Sequence, residues 1–382
     1  MKEFILKISF FLIPLIFIFA FALYILVVSD EVLDLDKIIG YQSKNKALMG
    51  LAYSGSDGYI KHKIVEIRKP RIIALGTSRI MQFRDYFFKR PELFFNAGGA
   101  IRKIQDFNIF TESLQHQPEV MIIGLDQYFF NENWDDLKGV PSFDYLNKPP
   151  SITMFHNLAT DVLYLARTVL YLVKKVLLDF IRGKIDIRKL SAPHIGLRAK
   201  MYNDGYRLDG SYSHARVIRN PTSDEDFKFK DTLRRIRYGI SGFQNGTNVN
   251  PRAIIELHTF LQNAKKRNIY IIAFLPPFAP AVWNEIKLHS DRYTYMFKLA
   301  GELQPLFNKY SFSFFDFSDM APLGADDSET IDGFHGTEKA YLRILIKICS
   351  QDTNMKKYCD INELQNLLAN SYSSKEVKRE IN

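Results

Sequence analysis

Two kinds of hydrophobic pattern divide the chain. Residues 8–28 (ISFFLIPLIFIFAFALYILVV) run for 21 positions without a charge. At about 1.5 Å per residue a helix of that length spans roughly 30 Å, the hydrocarbon thickness of a bilayer. Further on, five shorter runs of β-type residues stand out: 71–76 (RIIALG), 93–97 (LFFNA), 120–126 (VMIIGLD), 269–275 (IYIIAFL) and 313–318 (SFFDFS). The first, third and fourth are continuously apolar rather than alternating, as strands buried on both faces of a parallel sheet are. Helical patterns lie between the runs, over 79–90, 101–116, 251–266 and about 284–307. Strand–helix alternation of this kind predicts a doubly wound α/β domain with a five-stranded parallel sheet, whose functional groups gather at the carboxyl ends of the strands.

The long N-terminal run predicts one transmembrane helix, kept as an uncleaved signal anchor. Lys2 and Lys7 precede it, and Asp30, Glu31, Asp34 and Asp36 follow it. Positive charge stays on the cytoplasmic side, so the expected location is single-pass in the cytoplasmic membrane with the C-terminal domain outside the cytoplasm. A cleaved signal would have a shorter apolar core and a small-x-small site, whereas this run ends in Leu26, Val27 and Val28 and then acids. The expected organisation is a cytoplasmic tip and anchor (1–29), a stalk or entry segment (30–68), an α/β domain (69–370) and a flexible tail (371–382). A helical insertion at about 140–250 breaks the alternation inside that domain.

Composition changes the picture in two places. The formal net charge of +9 would suit nucleic acid, an anionic surface or an acidic substrate. Much of it is local: residues 167–200 hold nine Lys or Arg against Asp179 and Asp186, an excess of +7. No nucleic-acid-binding fingerprint surrounds that stretch, so no nucleic-acid partner is expected. It is either a solvated basic face or a surface that docks to a membrane or a membrane partner. The only two cysteines, Cys349 and Cys359, cannot make a four-ligand zinc site. They could form a disulfide or remain two thiols. The seven histidines other than His335 have no partner at metal spacing, and neither metal nor cofactor is expected.

Two short segments could carry chemistry. Gly76-Thr77-Ser78-Arg79 sits at the end of the first strand, where a serine is exposed at the sheet's carboxyl edge. Asp332-Gly333-Phe334-His335 follows the fifth strand. A carboxylate three residues before a histidine can hold its Nδ1–H and leave Nε2 free to take a proton from a serine hydroxyl. Alone, each signal is weak: the serine could be a helix cap, and the Asp–His pair a metal ligand or salt bridge. Both fall where a doubly wound sheet brings strand ends to one edge, and together they nominate Ser78, Asp332 and His335 as a catalytic triad. The G-x-S-x-G elbow of α/β-hydrolases is absent, because position 80 is Ile.

These segments resemble the blocks of SGNH (GDSL-like) hydrolases. Gly76-Thr77-Ser78 is similar to the first block, with Thr in place of Asp, and Asp332-x-x-His335 to the fifth. Asn96-Ala97-Gly98-Gly99 is similar to the second block, whose glycine lends a backbone N–H to the oxyanion hole; the resemblance puts that role on Gly98, with Gly99 as the alternative. Gly124-Leu125-Asp126 stands where the third block has an asparagine that donates to the oxyanion. An ionised carboxylate cannot donate there, so Asp126 is expected either to position Ser78, Arg79 or a substrate hydroxyl, or to be protonated. Arg79 could bind an anionic substrate group or form a structural ion pair. The resemblance covers most of 70–130 and 265–345. It implies a flavodoxin-like SGNH fold, and within the class the chain looks like a membrane-anchored branch that includes the D-alanine transfer protein and polysaccharide O-acetyltransferase-associated proteins.

Two functions follow. One is a serine acyl-ester enzyme, an acyl or O-acetyl transferase or an esterase, acting on cell-envelope or exported polysaccharide. The other is a non-catalytic scaffold of SGNH shape that partners a multi-span membrane acyltransferase.

Overall fold

In a computed structural model the chain is described over residues 2–53, 57–134, 137, 146 and 158–379. It divides into two compact units. One comprises Asp57–Asn147, Asp209–Tyr212 and Arg216–Asn382, and holds the sheet. The other comprises Met1–Ser56, Lys148–Leu208 and Ser213–Ala215.

Five strands build the sheet: β1 (Ile72–Gly76), β2 (Phe94–Gly98), β3 (Val120–Gly124), β4 (Tyr270–Leu275) and β5 (Ser313–Asp316). They are parallel and ordered β2-β1-β3-β4-β5. Every residue of β1, β2 and β3 is buried, which accounts for their unbroken apolar runs. One face, with Ile72, Ala74, Ile122, Ile272 and Phe274, packs on Leu342, Leu345 and Ile348 of the helix Glu338–Gln351. Between β2 and β4 the helices Ile104–Ser113 and Pro251–Lys266 run together, with Phe107 and Phe260 rings 5.7 Å apart. Cys349 and Cys359 are buried free thiols in the core of the first face. Their mutual hydrogen bond, then burial, pushes the Cys359 thiol up.

Two expected helices differ. Residues 79–90 form no α-helix; they make short 3₁₀ turns at Ser78–Ile80 and Asp85–Phe87. The carbonyls that would close helical turns are taken by the core. The Arg79 carbonyl accepts from the Tyr341 hydroxyl, and those of Ile80 and Phe83 accept from the Asn96 amide, each at 3.0 Å. The pattern over 284–307 is two helices, Pro280–Leu288 and Thr294–Lys309. Between them Tyr293 is fully buried, and its hydroxyl donates to the carbonyls of Ile236 and Phe243.

The insertion expected at 140–250 is not one piece. Residues 148–208 group with the N-terminal segment, while 216–250 stay with the sheet unit. Of that insertion, 140–145 and 147–157 lie outside the described residues, as do 380–382 of the expected tail. Asp57–Arg68, placed in the stalk by the sequence, is a helix of the sheet unit, burying Ile60, Ile64 and Val65.

The N-terminal apolar run does form a helix, Lys2–Val28. The expectation that it is a transmembrane helix is corrected: among the described residues no helix is long and apolar enough to cross a membrane. Its last turns are spent inside the protein. Ala22, Ile25 and Leu26 are buried against Leu172, Val173 and Val176 of the helix Leu158–Ile181, and Phe21 meets Phe180 edge-on at 4.9 Å. Other side chains of the same helix, Phe10, Ile16 and Phe17 among them, are exposed. Glu31, one of the acids that follow the run, is fully buried. It accepts the N–H groups of Ala52, Tyr53 and Leu197 at 2.8, 2.9 and 2.7 Å, which offsets the cost of burying its charge.

Candidate active site

The carboxyl end of β1 sets the first side chain. After Gly76 the chain turns through Thr77, whose extended backbone and side-chain oxygen cap the turn by accepting the Arg79 N–H at 3.2 Å. Ser78 is left exposed at the sheet edge, flanked by buried Thr77 and Arg79. The turn is a single round of 3₁₀ helix, too short to supply the helix dipole that the expected helix would have lent.

A tight loop sets the second. Thr330 bridges to Gly336, and the Ile331 N–H donates to the His335 carbonyl at 2.8 Å. Within the loop Asp332 Oδ1 accepts the N–H groups of Phe334 and His335, at 3.0 and 2.8 Å. Its Oδ2 lies 2.6 Å from His335 Nδ1, and His335 Nε2 lies 2.8 Å from Ser78 Oγ. Ser78, His335 and Asp332 thus form one unbroken line of hydrogen bonds. Partial burial pushes the Asp332 carboxyl up, but the His335 ring and the two N–H groups outweigh it and hold the group at about 2. An ionised Asp332 fixes the proton of His335 on Nδ1, so Nε2 is the acceptor for the Ser78 hydroxyl.

The remaining residues singled out by the sequence do different work. Asp126 is fully buried and accepts from the Thr77 hydroxyl at 2.6 Å and from Arg79 at 3.3 Å. Arg79 is buried too. Its guanidinium also donates to the carbonyls of Phe334, Pro276 and Pro277 and to the Gln127 side chain, at 3.0, 2.9, 2.8 and 2.7 Å. It stacks over Phe278 at 4.4 Å. With its donors spent inside, Arg79 is a brace joining the serine turn, the end of β4 and the histidine loop, and the alternative of a substrate-binding guanidinium is set aside.

The two glycines expected at the oxyanion hole have partners within the protein. The Gly98 N–H donates to Asn96 Oδ1 at 2.8 Å, and the Gly99 N–H to the Gly76 carbonyl at 2.9 Å. Neither is unengaged in this structure. Gly99 is there for its backbone: φ is +88°, a conformation open mainly to glycine.

Several contributors were not read from the sequence. Asp226 accepts the Gly333 N–H at 2.8 Å and the Thr232 hydroxyl at 2.6 Å, and so pins the loop that carries Asp332. Gly333 admits this approach because a Cβ there would stand 2.6 Å from Thr232. Tyr341 holds the Arg79 carbonyl, and burial pushes its phenol up, so its proton stays available. No local pattern marks these residues, since each works across more than 100 positions of sequence or from inside an ordinary helix.

Beside the histidine loop lies a cleft of about 250 Å³. Phe334, whose ring centroid is 4.5 Å from that of His335, forms part of its wall. Among the described residues no cluster of three or more His, Cys, Asp or Glu is placed to hold a metal ion. No protein-family model matches the chain, and no curated protein is significantly similar to it.

Proposed function

We propose that the protein is a serine-dependent acyl-ester enzyme. The observation that carries this reading is the continuous line Ser78 Oγ, His335 Nε2, His335 Nδ1, Asp332 Oδ2, with separations of 2.8 Å and 2.6 Å. In the first half-reaction Ser78 Oγ attacks an ester carbonyl while His335 Nε2 takes the hydroxyl proton. His335 returns that proton to the departing alcohol as the C–O bond breaks, leaving an acyl-Ser78 ester. In the second half an acceptor hydroxyl gives its proton to Nε2 and attacks the acyl carbon, and Ser78 regains its proton. Water as acceptor makes an esterase; a sugar hydroxyl makes a transferase. The choice of cell-envelope or exported polysaccharide as acceptor rests on the family resemblance alone.

One observation favours a second reading, a non-catalytic partner of a multi-span membrane acyltransferase. With the Gly98 and Gly99 N–H groups engaged and Asp126 unable to donate, the oxyanion has few donors beyond the Ser78 N–H. Each missing donor costs about 10²–10³ in rate. Labelling of the full chain with a fluorophosphonate serine probe separates the two. The enzyme reading expects labelling that disappears in Ser78→Ala and in His335→Ala. A folded wild type that is never labelled, alone or with membranes, sinks it in favour of the scaffold.

A further inference from the structure

We infer that the cleft beside His335 is a binding subsite for a small, flat, apolar group that carries one anionic oxygen group. As the place where part of the substrate rests during acyl transfer it depends on the reading above; as a binding site it does not.

Two observations point to this ligand. First, the wall is aromatic: Tyr128, Trp134, Phe243, Phe278 and Phe334 line it. Ring faces and edges at this density suit a flat apolar body, and about 250 Å³ holds only a small one. Second, three guanidinium groups line the cleft, and two are committed. Arg79 is bonded to Asp126 and its neighbours, and Arg235 is paired with Asp231 at 2.5 Å. Arg102 is exposed, and its side chain makes no ion pair or hydrogen bond with any described residue. An uncommitted guanidinium on an apolar wall is a ready partner for a carboxylate or similar anion.

The lining also weighs against a rival. No carboxylate or amide side chain faces the cleft among the described residues. A pyranose ring needs acceptors for several hydroxyl protons, and the side-chain acceptors here are the Ser241 and Tyr128 hydroxyls, so the cleft suits the acyl or leaving group better than a glycan.

The test uses the full chain and three small probes, followed by tryptophan fluorescence. Benzoate has the ring and the charge, benzyl alcohol the ring alone, and acetate the charge alone. The expected result is saturable binding of benzoate, weaker binding of the other two, and a loss of at least about tenfold in benzoate affinity in Arg102→Ala and more in Arg102→Glu. Benzoate affinity should be unchanged in Ser78→Ala, which excludes a carboxylate resting on the nucleophile. Equal affinity for benzyl alcohol, indifference to Arg102, or loss of binding in Ser78→Ala would each overturn the inference. Fluorophosphonate labelling of the same wild-type sample is read separately. Labelling without benzoate binding removes the cleft and keeps the nucleophile; binding without labelling keeps the cleft as a binding site and removes the acyl chemistry.

Discussion

Two corners of the same sheet edge each bring a carboxylate towards Ser78, and they make opposite use of it. At the loop after β5, Asp332 is partly open to solvent and hydrogen-bonded to a histidine that can gain and lose a proton. At the end of β3, Asp126 is sealed from solvent and bonded to a threonine hydroxyl and to a guanidinium that never gives up its charge. The residue type is the same and the surroundings decide. A carboxylate beside imidazole can take part in moving a proton; a carboxylate locked to arginine can only hold a shape. The comparison shows how an acidic residue is tolerable at the end of β3: Arg79 matches its charge before any substrate arrives.

Four measurements break or sharpen that contrast. The largest effect is expected from Asp332→Asn, which keeps the geometry but favours the wrong imidazole tautomer; ester turnover or probe labelling should fall by about 10⁴ with little change in the denaturation midpoint. Asp126→Ala should do the reverse. It strands the buried Arg79 and should cost about 3 kcal/mol or more in urea unfolding, while labelling persists in the folded fraction. If Asp126→Ala instead removed labelling at unchanged stability, the contrast would be wrong. Third, Asp332 titrates at about 2 in the folded protein against an ordinary 3.8. As pH falls the unfolded chain takes up that proton first. About 2 kcal/mol of stability should therefore be present above pH ~4 and lost as pH falls through about 2. Unfolding of the wild type and Asp332→Asn from pH 5 to 2 should show the difference shrinking; a constant difference would contradict the assignment. The smallest effect is expected from Tyr341→Phe, which removes the hydroxyl held by the Arg79 carbonyl and should cost about 1 kcal/mol.

How far the sequence speaks depends on the range of the interaction. Strands buried on both faces carry their signature in consecutive residues, so β1, β3 and β4 were visible as apolar runs. Ser78, Asp332 and His335 stood out because strand ends are where such side chains meet, and the structure brings those three together. Most of the failures are long-range. The helix expected over 79–90 is undone by carbonyl bonds to Asn96 and Tyr341, and nothing within 79–90 announces them. Gly98 looked like an N–H donor for a substrate, but its partner is the amide two residues earlier. The apolar run at 8–28 is helical, as its composition requires, but nothing in it announces that Ala22, Ile25 and Leu26 pack against Leu172, Val173 and Val176, far along the chain.

The two cysteines offer a clock. Cys349, on the helix Glu338–Gln351, and Cys359 are buried in the core that this helix forms with one face of the sheet. Only a thiolate attacks an alkylating reagent, and burial disfavours it, so modification must wait for the fold to open. Because the chain has no other thiol, the rate at which reagent is consumed reports the opening of this one face. Adding a ligand that binds the sheet unit should slow that rate in proportion to occupancy. The protein thus carries an internal gauge of its own integrity, readable without any assay of what it does.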